Sequence, residues 1–191
     1  MCRSPFFIGG DHAVTVPLMK AFAGQHKDAG IVIFDAHADC SSLFGSDAQK
    51  DLLVELVEKK VIAPERILLV GTRLFYPDEF VFLKKHEIKY YSMLEISREG
   101  IAEVCDAVMS AAKDFGAFYL SIDMDTVDPA FAPAVNDQVA GGLTSRELLY
   151  FVQRLRLLKN FRAADIVEIN PEKDVNGMTS LFGAKIVSEL F

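Results

Sequence analysis

Short apolar runs alternate with amphipathic runs along the whole chain, and this alternation limits the fold more than any other feature. The apolar runs have the length of strands and are nearly continuous, as strands covered on both faces require. We predict strands at residues 5–9, 30–37, 66–72, 88–93, 117–125 and 164–170. Strands that alternate with helices build α/β folds, so we expect a mainly parallel, doubly wound sheet with helices on both faces.

Helices are predicted between these strands. Their ranges are 13–25, 47–60, 77–86, 98–114, 144–159 and 178–190. Ser97, followed by Glu99, is a candidate N-cap for the fourth helix, and Thr144 with Glu147 forms a capping box for the fifth. No repeat, charge block or linker divides the 191 residues, so we expect a single domain over residues 1–191.

The composition excludes several classes of function. The chain has 20 Lys and Arg against 27 Asp and Glu, a net charge of −7, and its basic residues are scattered, which argues against a nucleic-acid partner. Three cysteines without a CxxC pair argue against a disulfide framework and a zinc ribbon. No apolar stretch approaches the roughly 18 to 20 residues of a membrane span, and no signal-peptide core follows Met1. We therefore predict a cytoplasmic protein without a membrane partner.

Residues that bind metals follow several of the predicted strands. Sites in open α/β sheets form beyond the carboxyl ends of the strands, so polar residues there carry extra weight. The two-residue side-chain period of a strand predicts that the acids and histidines of FDAHAD share one face, as do the two acids of SIDMD. The candidate metal ligands are His12, Asp35, His37, Asp39, Asp123 and Asp125, and the sixth strand adds Glu168.

Charge repulsion gives the physical reason for a metal site. Each like-charged pair among the four aspartates of the set would cost roughly several kcal/mol at an effective dielectric of about 20. Two divalent cations balance four carboxylates, and carboxylate and imidazole ligands without thiolate favour Mn²⁺, with Fe²⁺, Co²⁺ or Zn²⁺ as competitors. Taken singly, His12 is typical of a turn, a DxD pair is common in loops, and Glu168 is typical of an ion pair. Recurrence at several strand ends favours the metal interpretation.

Three motifs resemble the signatures of the ureohydrolases, the arginase and agmatinase family. They are GGDH (9–12), DAHAD (35–39) and SIDMDTVDPAFAP (121–133), and GGLTSRE (141–147) and DIVEINP (165–171) resemble later landmarks. The resemblance implies a three-layer α/β/α fold that binds two Mn²⁺ and hydrolyses guanidino or amidino compounds. It implies that His12, Asp35, Asp39 and Asp123 hold one metal, and Asp35, His37, Asp123 and Asp125 the other.

The resemblance also implies a mechanism. A water that bridges two cations loses a proton near neutral pH, and the hydroxide then attacks the guanidinium carbon. Asp39 would orient that hydroxide, and Glu168 would bind the planar guanidinium of the substrate. Asp39 and Glu168 are therefore the predicted catalytic residues, with urea and an amine as products.

The chain departs from the family pattern in three places. Family members are longer, and this chain begins close to GGDH, so we expect an N-terminal part to be missing and oligomerisation to cover the exposed strand edge. CSSLFGSDAQKDLL follows DAHAD where the family has a long loop with a catalytic histidine. Asn136 and Asp137 also replace a Gly- and Thr-rich stretch at the pocket rim. The shortened loop favours an agmatinase-like substrate over arginine.

Two other functions compete with this one. The chain could be a metal-binding but catalytically inactive ureohydrolase paralogue, because the loop histidine is missing. It could also be a two-metal amide deacetylase on a related sheet. Glu168 argues against the deacetylase, since a carboxylate opposite the metals suits a guanidinium and not an acetyl amide.

Overall fold

A single six-stranded parallel sheet organises the molecule. The computed structural model describes residues 4–41 and 51–191. The strands are β1 (Phe6–Ile8), β2 (Ala29–Phe34), β3 (Ile67–Thr72), β4 (Lys89–Ser92), β5 (Ala117–Asp123) and β6 (Phe161–Val167). Their order in the sheet is β1-β6-β5-β2-β3-β4, and every neighbouring pair is parallel. The predicted α/β class and parallel sheet are confirmed.

The central strands are covered on both faces. Every residue of β2 is buried, and its side chains alternate between two separate hydrophobic clusters. Val32 and Phe34 belong to one cluster, whereas Ile31 and Ile33 belong to the other. Because both faces of β2 pack against apolar clusters, its sequence is a continuous apolar run and does not alternate between apolar and polar residues.

Helices form the two outer layers. They are α1 (Thr15–Gln25), α2 (Leu52–Glu58), α3 (Pro77–Lys85), α4 (Met93–Glu99), α5 (Ile101–Lys113), α6 (Ser145–Leu155) and α7 (Met178–Leu190). Buried residues of α1, α2 and α3 pack in the cluster on one face of the sheet, and those of α4, α5, α6 and α7 pack in the cluster on the other. The predicted three-layer α/β/α architecture is confirmed. No helix within residues 4–41 and 51–191 is long and apolar enough to cross a bilayer.

The fourth predicted helix, 98–114, corresponds to α5, but its first two residues belong to the preceding helix α4. Ser97 is not an N-cap, because it lies inside α4, which spans Met93–Glu99 and has Ser92 as its N-cap and Gly100 as its C-cap. Ser92 Oγ accepts a hydrogen bond from Glu95 N, and Gly100 has a φ of 94°, which breaks the helix before α5 begins. The capping box of Thr144 and Glu147 is present at the start of α6. Residues 47–50 of the second predicted helix lie outside the described residues.

Three strands end two or three residues earlier than predicted. β2 ends at Phe34, β5 at Asp123 and β6 at Val167, so the polar segments that follow are loops and short 3-10 helices. β5 and β2 are adjacent at the centre of the sheet, and β6 separates β5 from the edge strand β1. The carboxyl ends of these four strands therefore open onto the same side of the sheet, where the candidate ligands lie.

Candidate metal centre

His12 reaches the site from a tight turn after β1. Gly9 leaves no room for a side chain, because a Cβ there would lie 2.6 Å from Val14 Cγ1. His12 then begins a 3-10 helix and is 1% exposed. Two hydrogen bonds tie this turn to the end of β6, because Glu168 N donates to Gly10 O at 2.8 Å and His12 N donates to Glu168 Oε1 at 3.0 Å.

The DAHAD segment lies beyond the strand, in a loop. The prediction that a strand period aligns Asp35, His37 and Asp39 is wrong in its geometry, because β2 ends at Phe34 and Asp39 has a left-handed φ of 49°. Hydrogen bonds hold the loop instead. His37 N donates to Asp35 Oδ1 at 2.6 Å, and Ala36 N donates to an aspartate after β5 at 2.9 Å. The side chains converge although the backbone is not extended.

The SIDMD segment also leaves its strand before its second acid. Asp123 is the last residue of β5 and caps a 3-10 helix, Met124–Thr126, by accepting from Asp125 N at 2.8 Å. Asp125 lies within that helix, so the predicted strand alternation of the two acids is also wrong. Both carboxylates are buried, at 2% and 4% exposure.

These turns bring two groups of donor atoms together. His12 Nδ1 lies 3.0 Å from Asp35 Oδ2, 3.2 Å from Asp123 Oδ2 and 3.3 Å from Asp39 Oδ2. His37 Nδ1 lies 2.7 Å from Asp125 Oδ2 and 3.5 Å from Asp35 Oδ1. Within the described residues, His12, Asp35 and Asp39 form one set of close donor atoms, and Asp35, His37 and Asp125 form a second. Asp35 belongs to both sets.

Burial and mutual repulsion disturb the ionisation of these acids. Burial and the charge of Asp35 raise the pKa of Asp39 to about 7. Burial, followed by the neighbouring carboxylates, also raises the pKa of Asp123 and that of Asp125. Burial would raise the pKa of Asp35 as well, but its contacts with the two imidazoles lower it. In the metal-free protein, bound protons therefore reduce the repulsion between these carboxylates.

The histidines carry those protons. Burial opposes protonation of His37, but its contacts with Asp125 and Asp35 outweigh burial and raise its pKa to about 12. The pKa of His12 is likewise raised by the carboxylates around Nδ1, against burial. His12 Nδ1 nevertheless makes no hydrogen bond of good geometry, although it is buried. A buried nitrogen that faces three carboxylate oxygens is what a cation site requires, so the donor set fits a divalent metal.

Residues 2–191 match the family model described as the Arginase family. The chain belongs to the arginase family. The predicted membership of the ureohydrolases, hydrolases of amidino C–N bonds, is thereby confirmed.

Curated relatives of this arginase-family chain differ in substrate. The arginase of Staphylococcus aureus (strain MRSA252) is 30% identical over 206 residues, which cover 99% of this chain and 68% of that protein. The guanidinopropionase of Pseudomonas aeruginosa is 34% identical, with 97% of this chain and 59% of that protein covered. The formimidoylglutamase of Halalkalibacterium halodurans is 32% identical, and this chain spans 59% of it. The chain thus spans about three fifths to two thirds of these relatives.

Solved structures of the family share the fold. The arginase from Bacillus subtilis superposes with a TM-score of 0.92 at 27% identity, over 98% of this chain and 71% of that one. The proclavaminate amidino hydrolase from Streptomyces clavuligerus gives a TM-score of 0.89 at 31% identity, over 97% of this chain and 62% of that one.

The family landmark Glu168 lines the same cavity as the donor atoms. Its backbone has a left-handed φ of 63°, and burial raises the pKa of its carboxyl. Among the described residues, the cavity is lined by His12, His37, Asp39, Tyr76, Glu79, Asp123, Asp125, Val135, Asn136, Asp137 and Glu168. All of the sequence-predicted site residues except the buried Asp35 therefore line one cavity, and Asp35 contacts two of the lining residues, His12 and His37.

Several residues that support the candidate site were not predicted from the sequence. Asp165 accepts hydrogen bonds from Thr15, Tyr119 and Ser121, and Ser121 Oγ lies 3.0 Å from His12 Nε2. Glu79 and Arg73 were missed as well, since they follow β3, which carries no predicted ligand. Only the strand-end position of Asp165, three residues before Glu168, offered a signal.

Proposed function

We propose that the chain is a binuclear manganese hydrolase of guanidino compounds, similar to agmatinases, which releases urea and an amine. One observation carries the proposal. Two donor sets share Asp35 and lie in the same cavity as Glu168, which is the arrangement that two cations and a guanidinium need. The confirmed family supports the reaction class, and the substrate is argued from the cavity.

Six side chains would hold the cations. They are His12, Asp35, His37, Asp39, Asp123 and Asp125. Mn²⁺ suits a set of carboxylates and imidazoles without thiolate, and Fe²⁺, Co²⁺ or Zn²⁺ are the alternatives. When bound, such cations would lower the pKa of a water and so supply a hydroxide near neutral pH. The role of Asp123 as a second shared ligand is part of this proposal.

Glu168 would bind the substrate. A planar guanidinium donates paired N–H groups that a carboxylate accepts side by side, so one glutamate both neutralises and orients it. Burial disfavours the charge of this half-buried carboxyl and raises its pKa. A bound guanidinium would lower the pKa of Glu168 again, because its positive charge stabilises the ionised carboxylate. Glu168 therefore favours a guanidinium over a neutral amide.

Asp39 would handle the proton of the attacking water. Its side chain is the most exposed of the four candidate carboxylate ligands, at 12%. A carboxylate in this place accepts a hydrogen bond from the water, orients its lone pair towards the guanidinium carbon, and passes the proton to the leaving amine. Among the described residues, no histidine other than His12 and His37 lines the cavity.

The rim of the cavity favours a substrate tail without negative charge. The exposed residues Asn136 and Asp137 line the cavity together with the half-buried Tyr76, and no described Lys or Arg lines it. A carboxylate tail would meet the like charge of Asp137 there, whereas an aminoalkyl or uncharged tail would not. This charge pattern supports an agmatine-like substrate over guanidinopropionate, formimidoylglutamate or arginine.

The test measures products from a panel of substrates. Protein loaded with Mn²⁺ is incubated with agmatine, arginine, guanidinobutyrate, guanidinopropionate and formimidoylglutamate, and urea, formamide and ammonia are assayed. We expect urea from agmatine above the metal-free control, and about two metals per chain by elemental analysis, falling sharply in Asp123→Ala. A metal-loaded protein without any product would instead support the inactive paralogue, and a deacetylase would act on acetylated amines. Homo-oligomerisation and a cytoplasmic location remain predictions.

A further inference from the structure

Asp39 adopts a backbone conformation that needs support from outside its own segment. Its φ of 49° lies in the left-handed region, which costs free energy for any residue with a side chain, although aspartate tolerates it better than most. The conformation directs the Asp39 carboxylate to within 3.3 Å of His12 Nδ1. Some contact must therefore hold the peptide that follows Asp39 in place.

Two helices hold this peptide at both of its polar atoms. The carbonyl oxygen of Asp39 accepts a hydrogen bond from Leu53 N, in the first turn of α2, at 3.0 Å. The N–H of the same peptide unit belongs to Cys40 and donates to Glu79 Oε1, in the first turn of α3, at 3.2 Å. Fixing both atoms fixes the plane of this peptide unit, which restrains ψ of Asp39 and so the position from which its side chain projects towards His12.

Glu79 is an unusual residue in this place. It is 2% exposed, and burial raises the pKa of its carboxyl. Its second oxygen accepts from Tyr76 N at 2.8 Å, which closes the capping box of α3. Among the described residues, no Lys or Arg forms an ion pair with it. Burying a carboxylate beside other acids costs free energy of folding, which hydrogen bonds to that carboxylate must offset.

We propose that Glu79 is a positioning residue, which joins the N-terminus of α3 to the Asp39–Cys40 peptide and so holds Asp39 in its metal-binding conformation. The inference rests on the proposed function, in which Asp39 is a ligand. The aspartate next to Glu79 acts on the following residue, because Ser41 Oγ donates to Asp78 Oδ2 at 3.0 Å. The first turn of α3 thus contacts two consecutive residues after the ligand.

The chain contains a matched control. Glu147 occupies the same third position in the capping box of α6 and accepts from Thr144 N at 2.7 Å, far from the site in the sequence and outside the cavity lining. Glu79→Gln and Glu147→Gln each remove one carboxylate from one capping box. Both should lower the melting temperature of the metal-free protein, and only Glu79→Gln should disturb Asp39.

The experiment measures Mn²⁺ affinity by calorimetry and by the electron paramagnetic resonance signal of free Mn²⁺. We expect Glu79→Gln to weaken binding about 10- to 100-fold, the range for residues that orient metal ligands, and Glu147→Gln to leave it unchanged. In an Asp39→Asn background, Glu79→Gln should have little further effect, because the residue it acts through has already lost its charge. The shorter acid in Glu79→Asp should also weaken binding, and it serves if Glu79→Gln does not fold.

Each result separates this inference from the proposed function. If the wild type binds no Mn²⁺, the proposed function fails. If the wild type binds two Mn²⁺ and Glu79→Gln binds them equally well, only the role of Glu79 fails. An equal loss of affinity in Glu147→Gln, or a full effect of Glu79→Gln in the Asp39→Asn background, would also overturn it.

Discussion

His12 Nε2 lies 3.0 Å from Ser121 Oγ, and this contact determines which nitrogen of the ring is left to face the carboxylates. Ser121 has one hydroxyl proton, and it donates this proton to Asp165 Oδ1 at 2.7 Å. The Ser121 oxygen can then only accept, so Nε2 of His12 carries the proton and Nδ1 offers its lone pair to a metal. Asp165 is itself held by hydroxyl donors from Thr15 and Tyr119.

Removing the Ser121 hydroxyl should therefore weaken metal binding. In Ser121→Ala the His12 ring loses its orienting partner, and we expect Mn²⁺ affinity to fall about 10- to 100-fold by calorimetry. Tyr119→Phe is the control, because it removes a hydroxyl from Asp165 without touching His12 and should cost only stability. Equal affinity in Ser121→Ala and wild type would contradict the argument.

The metal-free protein should lose stability as the pH rises. The folded state binds more protons than the unfolded chain between about pH 4 and beyond pH 7, because the pKa values of Asp39, Asp123 and both histidines of the site are raised. The lowered pKa of Asp35 acts in the opposite direction, but only at more acid pH. Each additional proton held by the folded state makes stability fall by about 1.4 kcal/mol per pH unit.

Thermal unfolding in EDTA between pH 5.5 and 8.5 tests this expectation. The melting temperature of the metal-free protein should fall across the range. With saturating Mn²⁺ the trend should reverse, since cations bind the deprotonated ligands and compete with protons. A metal-free melting temperature that rises with pH would show that the acids are ionised without metal.

Arg73 should be needed for both the fold and the cavity rim. Its guanidinium donates to the carbonyl oxygens of Asp125 at 2.8 Å, Thr126 at 3.1 Å and Val139 at 2.6 Å. It thus joins the 3-10 turn that carries the candidate ligand Asp125 to the segment around Val139. Arg73→Met removes the donor from the carbonyls of Asp125 and Val139, whereas Thr126 O keeps a hydrogen bond from Leu143 N. We expect a loss of about 2 to 4 kcal/mol in the free energy of unfolding by urea titration.

A matched substitution gives the contrast for Arg73. The guanidinium of Arg66 makes polar contacts only with the exposed Asp28 among the described residues, by a hydrogen bond to its carbonyl oxygen at 3.1 Å and an ion pair with its carboxylate at 3.4 Å. Arg66→Met should cost less than about 1 kcal/mol. Equal losses in the two variants would mean that Arg73 has no special part in joining the two loops.

Charge at the rim should control the preference for the substrate tail. Asp137 is exposed and lines the cavity, so Asp137→Lys places a cation where the tail of the substrate would pass. We expect the ratio of kcat/KM for agmatine to that for guanidinobutyrate to fall about tenfold, the effect of a change of about 1.4 kcal/mol. Asp114→Lys makes the same charge change on an exposed residue after α5 and should leave the ratio unchanged. An unaltered ratio in Asp137→Lys would mean that the charge of Asp137 does not determine which substrate tail is preferred.

Local sequence patterns predicted the elements of this fold better than the geometry of its site. All six strands of the described chain were predicted. The clearest were β2 and β5, because they are buried on both faces and are therefore nearly continuous apolar runs in the sequence. The turns of the site were not, since long-range contacts hold them. Arg73 N and Leu74 N both donate to Ala36 O, for example, and no local pattern in DAHAD encodes those partners.

The supporting residues were missed for the same reason. Glu79 reads as an ordinary acid in the first turn of a helix, and Ser121 as a small polar residue within a strand. Their roles depend on which backbone or ring atom the fold brings into contact with them. The ligand types were recognisable because they recur at several strand ends, whereas a residue that orients a ligand has no such pattern.

One carboxylate, that of Asp35, belongs to both donor sets. Two ions that share a ligand cannot bind independently, since the first fixes the rotamer and the charge of the group that the second must use. The affinity of each position then depends on whether the other is filled, and the factor is the same in both directions. The occupancy of one position would therefore depend on the occupancy of the other. A protein with one bound ion would differ chemically from a mixture of metal-free and fully loaded molecules.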